Sequence, residues 1–163
     1  MRAEDIICLL KLRPLPKEGG YFRRTYQSAG SMRWISGERF LSTAIYYLVT
    51  PTEFSALHRL GQDELFHFYL GDPVEMVQLT ESGQLTRYLL GHAIAQGQSV
   101  QQLAPGGVWQ GTRLVDSGHW ALLGTTVVPG YDDADFELGT RAKLIAHYPQ
   151  HAEVIRRFTR ETA

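Results

Sequence analysis

The chain reads as an all-β domain of about nine short strands, with one short helix before them and two after. Three observations carry this reading. Runs rich in β-branched and aromatic residues alternate with turn clusters from Tyr21 to Val128. Two of those clusters, Glu81-Ser-Gly83 and Asp116-Ser-Gly118, have the composition of tight hairpins. Apolar spacing of the helical kind occurs only near the two ends of the chain.

The first helix is predicted over 4–13. Glu4 and Asp5 suit its positive end, Ile6, Leu9 and Leu10 share a face, and Lys11 and Arg13 suit its negative end. Pro14 and Pro16 stop it. Cys8, between Ile7 and Leu9, is read as a small buried apolar residue. Strands are predicted at Tyr21–Gln27, Thr43–Val49, Phe54–Leu60, Leu65–Leu70, Val74–Thr80, Thr86–Leu90, Ser99–Leu103, Trp109–Val115 and Trp120–Val128. Turn formers separate them, such as Thr50-Pro51, Gly71-Asp-Pro73 and Pro105-Gly-Gly107. After Pro129-Gly130 an acidic stretch, Tyr131 to Glu137, leads into helices over 139–147 and 150–160, the second favoured by Pro149. Leu144, Ile145, Val154, Ile155 and Phe158 give these helices apolar faces. The acidic stretch is expected to be a solvated loop and helix start rather than a cation site. So many short strands in one small chain leave a sandwich or a barrel.

A length of 163 residues suits one domain, 1–163, with a barrel core over about 18–130 and C-terminal helices over about 139–160. Hydrophobic residues at 44% and charged residues at 20% exclude a disordered chain. A net charge of -1 with interspersed signs gives no basic field, so neither nucleic acid nor a membrane is an expected partner. The single cysteine rules out an intrachain disulfide, a CxxC pair and a thiolate-rich zinc site. The apolar run Ile6 to Leu10 is too short for a signal peptide or a membrane span, and a reducing, cytoplasmic location is expected.

The segment Phe54 to Gly71 places His58, Glu64 and His67 inside two apolar strand-like runs. Ionisable groups are rarely buried without a partner. A histidine and a carboxylate brought together in a barrel can bind a metal, move a proton or grip a polar ligand. Side chains alternate along a strand. If His58 points inward, so do Ala56 and Leu60. If Glu64 points inward, so do Phe66, Phe68 and Leu70. His67 then faces outward unless a bulge resets the register.

Two spacings resemble the signatures of the cupin superfamily. His58-Arg-Leu60, then Glu64, six residues and Gly71 match the first motif, with Leu60 where its second histidine belongs. Pro105-Gly-Gly107-Val-Trp-Gln110 matches the second, with Gln110 where its histidine belongs. Further segments resemble the fifth cupin family, long labelled a domain of unknown function. They are Glu18-Gly-Gly-Tyr-Phe-Arg23, Thr43-Ala-Ile-Tyr-Tyr-Leu48, Phe54-Ser-Ala-Leu-His-Arg59, Asp63-Glu-Leu-Phe-His-Phe-Tyr-Leu-Gly71, Pro129-Gly130 and Asp135-Phe-Glu-Leu138. The resemblance spans about residues 10–160 and implies a cupin double-stranded β-helix, a jelly-roll barrel, paired as a homodimer. It implies no established reaction.

In metal-binding cupins the two motifs supply three histidines and a glutamate. This chain keeps His58 and Glu64, with Gln110 as a poor third donor, so no cofactor is expected and a divalent transition metal is the alternative. The metal-free sugar-nucleotide epimerases of the superfamily use a histidine as base and a tyrosine as acid. By that likeness His58 is the base, Glu64 orients it, and Tyr46 or Tyr47 is the acid. Arg23, Arg24 and Arg59 are the cations available for a diphosphate, and they form no clear cluster. Gln110 and Trp109 are expected to hold a small polar ligand with a planar group, alongside Phe66, Phe68 and His67. The leading expectation is a pocket for a small polar metabolite, with metal-independent isomerase or epimerase chemistry. The alternatives are a metal-dependent cupin using His58, Glu64 and Gln110 or His67, and a non-catalytic sensor module.

Overall fold

The computed structural model describes residues 1–161. Their order is α1 (Ala3–Leu10), β1 (Arg13–Pro14), β2 (Tyr21–Gln27), β3 (Ser31–Trp34), β4 (Gly37–Phe40), β5 (Thr43–Val49), β6 (Ser55–Leu60), β7 (Asp63–Gly71), β8 (Val74–Leu79), β9 (Leu85–Leu90), β10 (Gln101–Ala104), β11 (Trp109–Leu114), β12 (Ala121–Val128), β13 (Phe136–Leu138), α2 (Arg141–His147) and α3 (Ala152–Arg157). One antiparallel sheet runs β1-β2-β5-β12-β7-β10 and the other runs β13-β6-β11-β8-β9. The two face each other as a jelly roll. Tyr47, Phe66, Phe68 and Leu123 of the first sheet meet Val74, Met76 and Leu114 of the second in one buried cluster.

Helices cover parts of the outer faces. α2 and α3 lie on the second sheet, where Leu144, Ile155 and Phe158 bury Leu57, Val77 and Trp109. Each such side chain contributes about 1.5–3 kcal/mol through area removed from water. On the first sheet, Ile6 of α1 and the following Leu12 pack against Leu48 and Leu122. No helix among the described residues is long and apolar enough to cross a membrane.

The first helix ends sooner than expected. Lys11 adopts the left-handed conformation with φ 52°, and the Leu12 N–H returns to the Ile7 carbonyl at 2.9 Å. Cys8 and Leu9 lie away from the packed face of α1 that carries the buried Ile6 and face solvent, against the buried positions read from the sequence. The β3–β4 hairpin and β13 were not expected, because they are only three or four residues long and their side chains are mostly exposed or half-buried. The acidic stretch is only partly solvated. Arg39 Nε donates to Asp135 at 2.6 Å, and the side chains of this pair are 6% and 5% exposed.

Two bulges set the site. On β7, Phe68 pairs with Leu123 and Leu70 with Leu122, so Tyr69 is the extra residue. Leu70, expected inside, is therefore turned out and is 53% exposed. On β6, His58 pairs with Gln110 but Ser55 pairs with Thr112, which leaves Ala56 and Leu57 opposite Gly111. A side chain at Gly111 would press on the Phe158 ring and the Ser55 carbonyl.

Candidate functional site

The β6 bulge turns the Ala56 carbonyl to the His58 ring, whose Nδ1 lies 2.8 Å away. That contact fixes the tautomer with the proton on Nδ1 and leaves Nε2 to face the barrel. Two carboxylates meet it there. Glu18 Oε2 is 3.7 Å from Nε2 and Glu64 Oε2 is 3.9 Å away. On the far side of the cluster, Gln110 Nε2 donates to Glu64 at 2.7 Å. The His58 ring is stacked on Phe136, with centroids 5.3 Å apart.

Glu18 reaches this position because its backbone is tied down at several points. Its carbonyl accepts from the Ala56 N–H at 2.9 Å and from Arg160 Nη1 at 2.7 Å. The next residues, Gly19 and Gly20, have φ of 96° and 78°, which only glycine adopts without strain. The Tyr47 ring fills the space a Gly20 side chain would need, and its hydroxyl donates to the Gly19 carbonyl at 2.9 Å. Ser55 Oγ lies 3.4 Å from Glu18 Oε1.

A cavity of about 550 Å³ opens onto this cluster. Tyr47, Leu60 and Glu64 are buried members of its wall, and Glu18 is half-buried. Arg13, Lys17, Arg24 and Asp133 are its exposed charged members and, with Pro14 and Pro16, form the rim. His58 does not line the cavity; it sits behind Glu18 and Glu64 at 1% exposure. Tyr131 also lines it, donating its hydroxyl to Asp133 at 2.9 Å.

Burial and charge work against each other here. Burial pushes the His58 imidazole down, but the nearby Glu18 and Glu64 charges and the Ala56 carbonyl outweigh it and lift the pKa to about 9. Burial raises the Glu18 carboxyl, the His58 charge opposes this, and the Glu64 charge adds to it. Burial and the Glu18 charge hold the Tyr47 phenol well above its ordinary value. Burial and the hydrogen bond to Asp133 raise the Tyr131 phenol. Near pH 7 the cluster therefore stores a proton on His58, directly behind two carboxylates that face the cavity.

The other expected site residues divide by strand parity. Tyr47 faces in, and Tyr46 faces out, with Arg23 over its ring at 5.4 Å. Phe66 and Phe68 face in but belong to the packed core rather than the cavity wall. Trp109 was expected beside Gln110 as a ligand wall. Neighbours on a strand cannot share a face, and Trp109 packs under the C-terminal helices with Arg59 at 4.7 Å from its ring. His67 also lies outside, 3.3 Å from Thr126 Oγ1 and 3.2 Å from Gln101. Of the three arginines weighed for an anion, only Arg24 lines the cavity; Arg59 pairs with Glu137 at 2.6 Å. Sequence reasoning missed Glu18 as a site residue, and its only signal was the Gly-Gly that follows it.

The cupin metal set does not fit these residues. Leu60 has no donor atom, and Gln110 turns its NH2 to Glu64, leaving its Oε1 buried without a partner. No group of three or more His, Cys, Asp or Glu among the described residues is arranged to hold a metal ion.

Barrel and site together define a cupin. The family described as Cupin superfamily (DUF985) matches residues 4–139, and the chain belongs to that family. A hypothetical protein from Leishmania major superposes with a TM-score of 0.93 at 33% identity, covering 99% of this chain and 100% of that one. Protein SO0799 from Shewanella oneidensis gives 0.91 at 34% identity, with 98% of each chain covered. The uncharacterized yeast protein YML079W from Saccharomyces cerevisiae is 29% identical over 135 residues. That alignment takes in 73% of this chain and 66% of the yeast protein's length. A dTDP sugar isomerase from Desulfovibrio desulfuricans shares the fold alone, with a TM-score of 0.56 at 15% identity over 78% of this chain and 88% of that one.

Proposed function

We propose that the barrel binds a small polar metabolite and moves a proton on it without a metal, in the manner of an isomerase or epimerase. The observation that carries this is the placement of Glu18. It is a carboxylate of raised basicity facing the cavity, with a protonated imidazole 3.7 Å behind it. A base works best when its pKa approaches the working pH, and burial moves Glu18 in that direction. Glu18 takes the proton from the ligand. Protonated His58 stabilises the negative charge of Glu18 before transfer, and Glu18 then returns the proton to the ligand, so the step balances with the proton that Glu18 took up. Glu64, held by Gln110, keeps His58 protonated. Gln110, expected as a ligand contact, does not line the cavity; its amide acts by holding Glu64, and its Oε1 stays buried without a partner. The hydroxyls of Tyr47 and Tyr131 already donate to Gly19 and Asp133, so they orient the walls.

The outer face of the first sheet, where Tyr69, Leu103 and Val128 are exposed beside His67, is the surface we assign to a second copy of the chain. Sedimentation at micromolar concentration tests that assignment, and a monomer would refute it.

The pocket is tested by incubating immobilised protein with a cell metabolite extract and analysing what is retained. The expected result is one or more polar metabolites held by the parent and lost from Glu18→Gln, with no stoichiometric transition metal in the dialysed protein. Equal retention by both proteins, or a bound metal lost on His58→Ala, would overturn the reading.

A further inference from the structure

The charge in the cavity is distributed unevenly from rim to floor. At the floor, Glu18 and Glu64 face inward, with only the His58 proton to offset them. At the rim stand three cations and one anion: Arg13, Lys17, Arg24 and Asp133. Lys17 is paired with Asp133 at 3.4 Å. Arg13 and Arg24, like Arg23, Arg33, Arg113 and Arg156, have no carboxylate within 4.0 Å among the described residues, though the Arg24 charge helps to lower the Asp133 carboxyl; of these six arginines only Arg13 and Arg24 line the cavity. The two free guanidiniums are on one face of the sheet edge. Arg13 pairs across β1 and β2 with Phe22, and Arg24 lies two residues beyond Phe22 on the same strand. The Arg13 guanidinium sits 4.9 Å from the Phe22 ring, and the Arg24 side chain has only the Gln27 amide, at 3.1 Å. The rest of the wall is mostly apolar, with Phe22, Ile45, Leu60 and Val127, and carries the buried Thr43 and Thr125 among them.

We propose that the ligand is a small organic oxyanion, a carboxylate or phosphate ester, with its charged group held at the rim by Arg13 and Arg24. Its carbon body lies along the apolar wall, and its neutral, reacting end meets Glu18. This rests on the acid–base reading of the same cavity. The orientation follows from electrostatics. Two carboxylates at the floor repel an anionic group, while unpaired guanidiniums at the rim offer it charge-assisted hydrogen bonds. A volume near 550 Å³ falls in the range of small-molecule sites.

The test uses three probes of similar ring size: phenyl phosphate, benzoate and neutral benzyl alcohol. Binding is followed by calorimetry in the parent and in the Arg13→Gln/Arg24→Gln double variant. At least one of the two anions is expected to bind the parent more tightly than benzyl alcohol does. Its affinity should weaken roughly tenfold or more in the double variant, the loss expected for hydrogen bonds to charged groups. The tighter anion tells carboxylate from phosphate. Both arginines are exposed, and the melting temperature checks that the variant folds. Should it not fold, the parent still decides the matter, because anion affinity must fall as salt rises. Failure of both anions to bind, equal binding of benzyl alcohol, or salt-independent anion binding would overturn the proposal. The acid–base reading fails separately. Anion binding that needs Arg13 and Arg24, in a protein that exchanges no carbon-bound proton, would leave this site standing and remove the proton-transfer step.

Discussion

Replacing Glu18 by glutamine should bring the His58 titration down into the ordinary histidine range. The substitution keeps the shape and removes one negative charge 3.7 Å from Nε2. At an effective dielectric near 20, a charge pair about 4 Å apart is worth about 4 kcal/mol, or roughly 3 pH units. Glu64 remains and burial still opposes protonation, so the midpoint should fall from about 9 to within about a unit of 6.5. Stability must follow. A group whose folded pKa is raised contributes stability that is whole below its unfolded pKa and is lost as pH rises through the folded value. For His58 that window runs from 6.5 to about 9, and the shift corresponds to about 3 kcal/mol. The raised Glu18 carboxyl has the same sign from its ordinary value of 4.5 upward. The parent should therefore lose stability as pH rises across the window from 6.5 to about 9, and Glu18→Gln should show a flatter profile there. Imidazole NMR reads the midpoint directly, with His58 assigned among the six histidines by comparison with His58→Gln. A midpoint that stays near 9 in Glu18→Gln, or one near 6.5 in the parent, would refute the coupling.

Three other substitutions probe how the site is held. Gly20→Ala places a methyl against the Tyr47 ring at a φ of 78°; a loss of about 1–3 kcal/mol in chemical denaturation is expected, and an unchanged midpoint would contradict the close packing. Arg39→Leu leaves the Asp135 carboxylate without its ion-pair partner, with only Ser36 and Gln62 still donating to it, and should lower the denaturation midpoint, with part recovered in Arg39→Leu/Asp135→Leu. Arg160→Gln withdraws the charged donors to the Glu18 and Phe54 carbonyls. It should cost about 1–3 kcal/mol and lower the His58 midpoint, whereas Arg156→Gln, exposed on α3 a few residues earlier, should change neither.

The strands were legible where side chains alternate between core and solvent or form a continuous buried run. Tyr21–Gln27 and Thr43–Val49 appear with the expected bounds because aromatic and β-branched residues fill them between clear turn formers. The β3–β4 hairpin was silent because it buries little. Parity turns Glu64, Phe66 and Phe68 inward and His67 outward, then fails at Leu70, where the Tyr69 bulge resets the register. The same rule would have separated Trp109 from Gln110, since adjacent residues on β11 face opposite ways. Glu18 was not legible. Its carboxylate meets His58 only because Arg160, Ala56 and Tyr47 hold the Gly19-Gly20 segment against the barrel, and no local pattern records contacts between such distant parts of the chain.

Proton transfer in the cavity is tested most directly by incubating the protein with a metabolite extract in D2O and following carbon-bound deuterium by mass spectrometry. The parent should add deuterium to a polar metabolite, Glu18→Gln should not, and a chelator should make no difference. No incorporation by the parent, or incorporation that a chelator abolishes, would contradict the acid–base role given to Glu18 and His58.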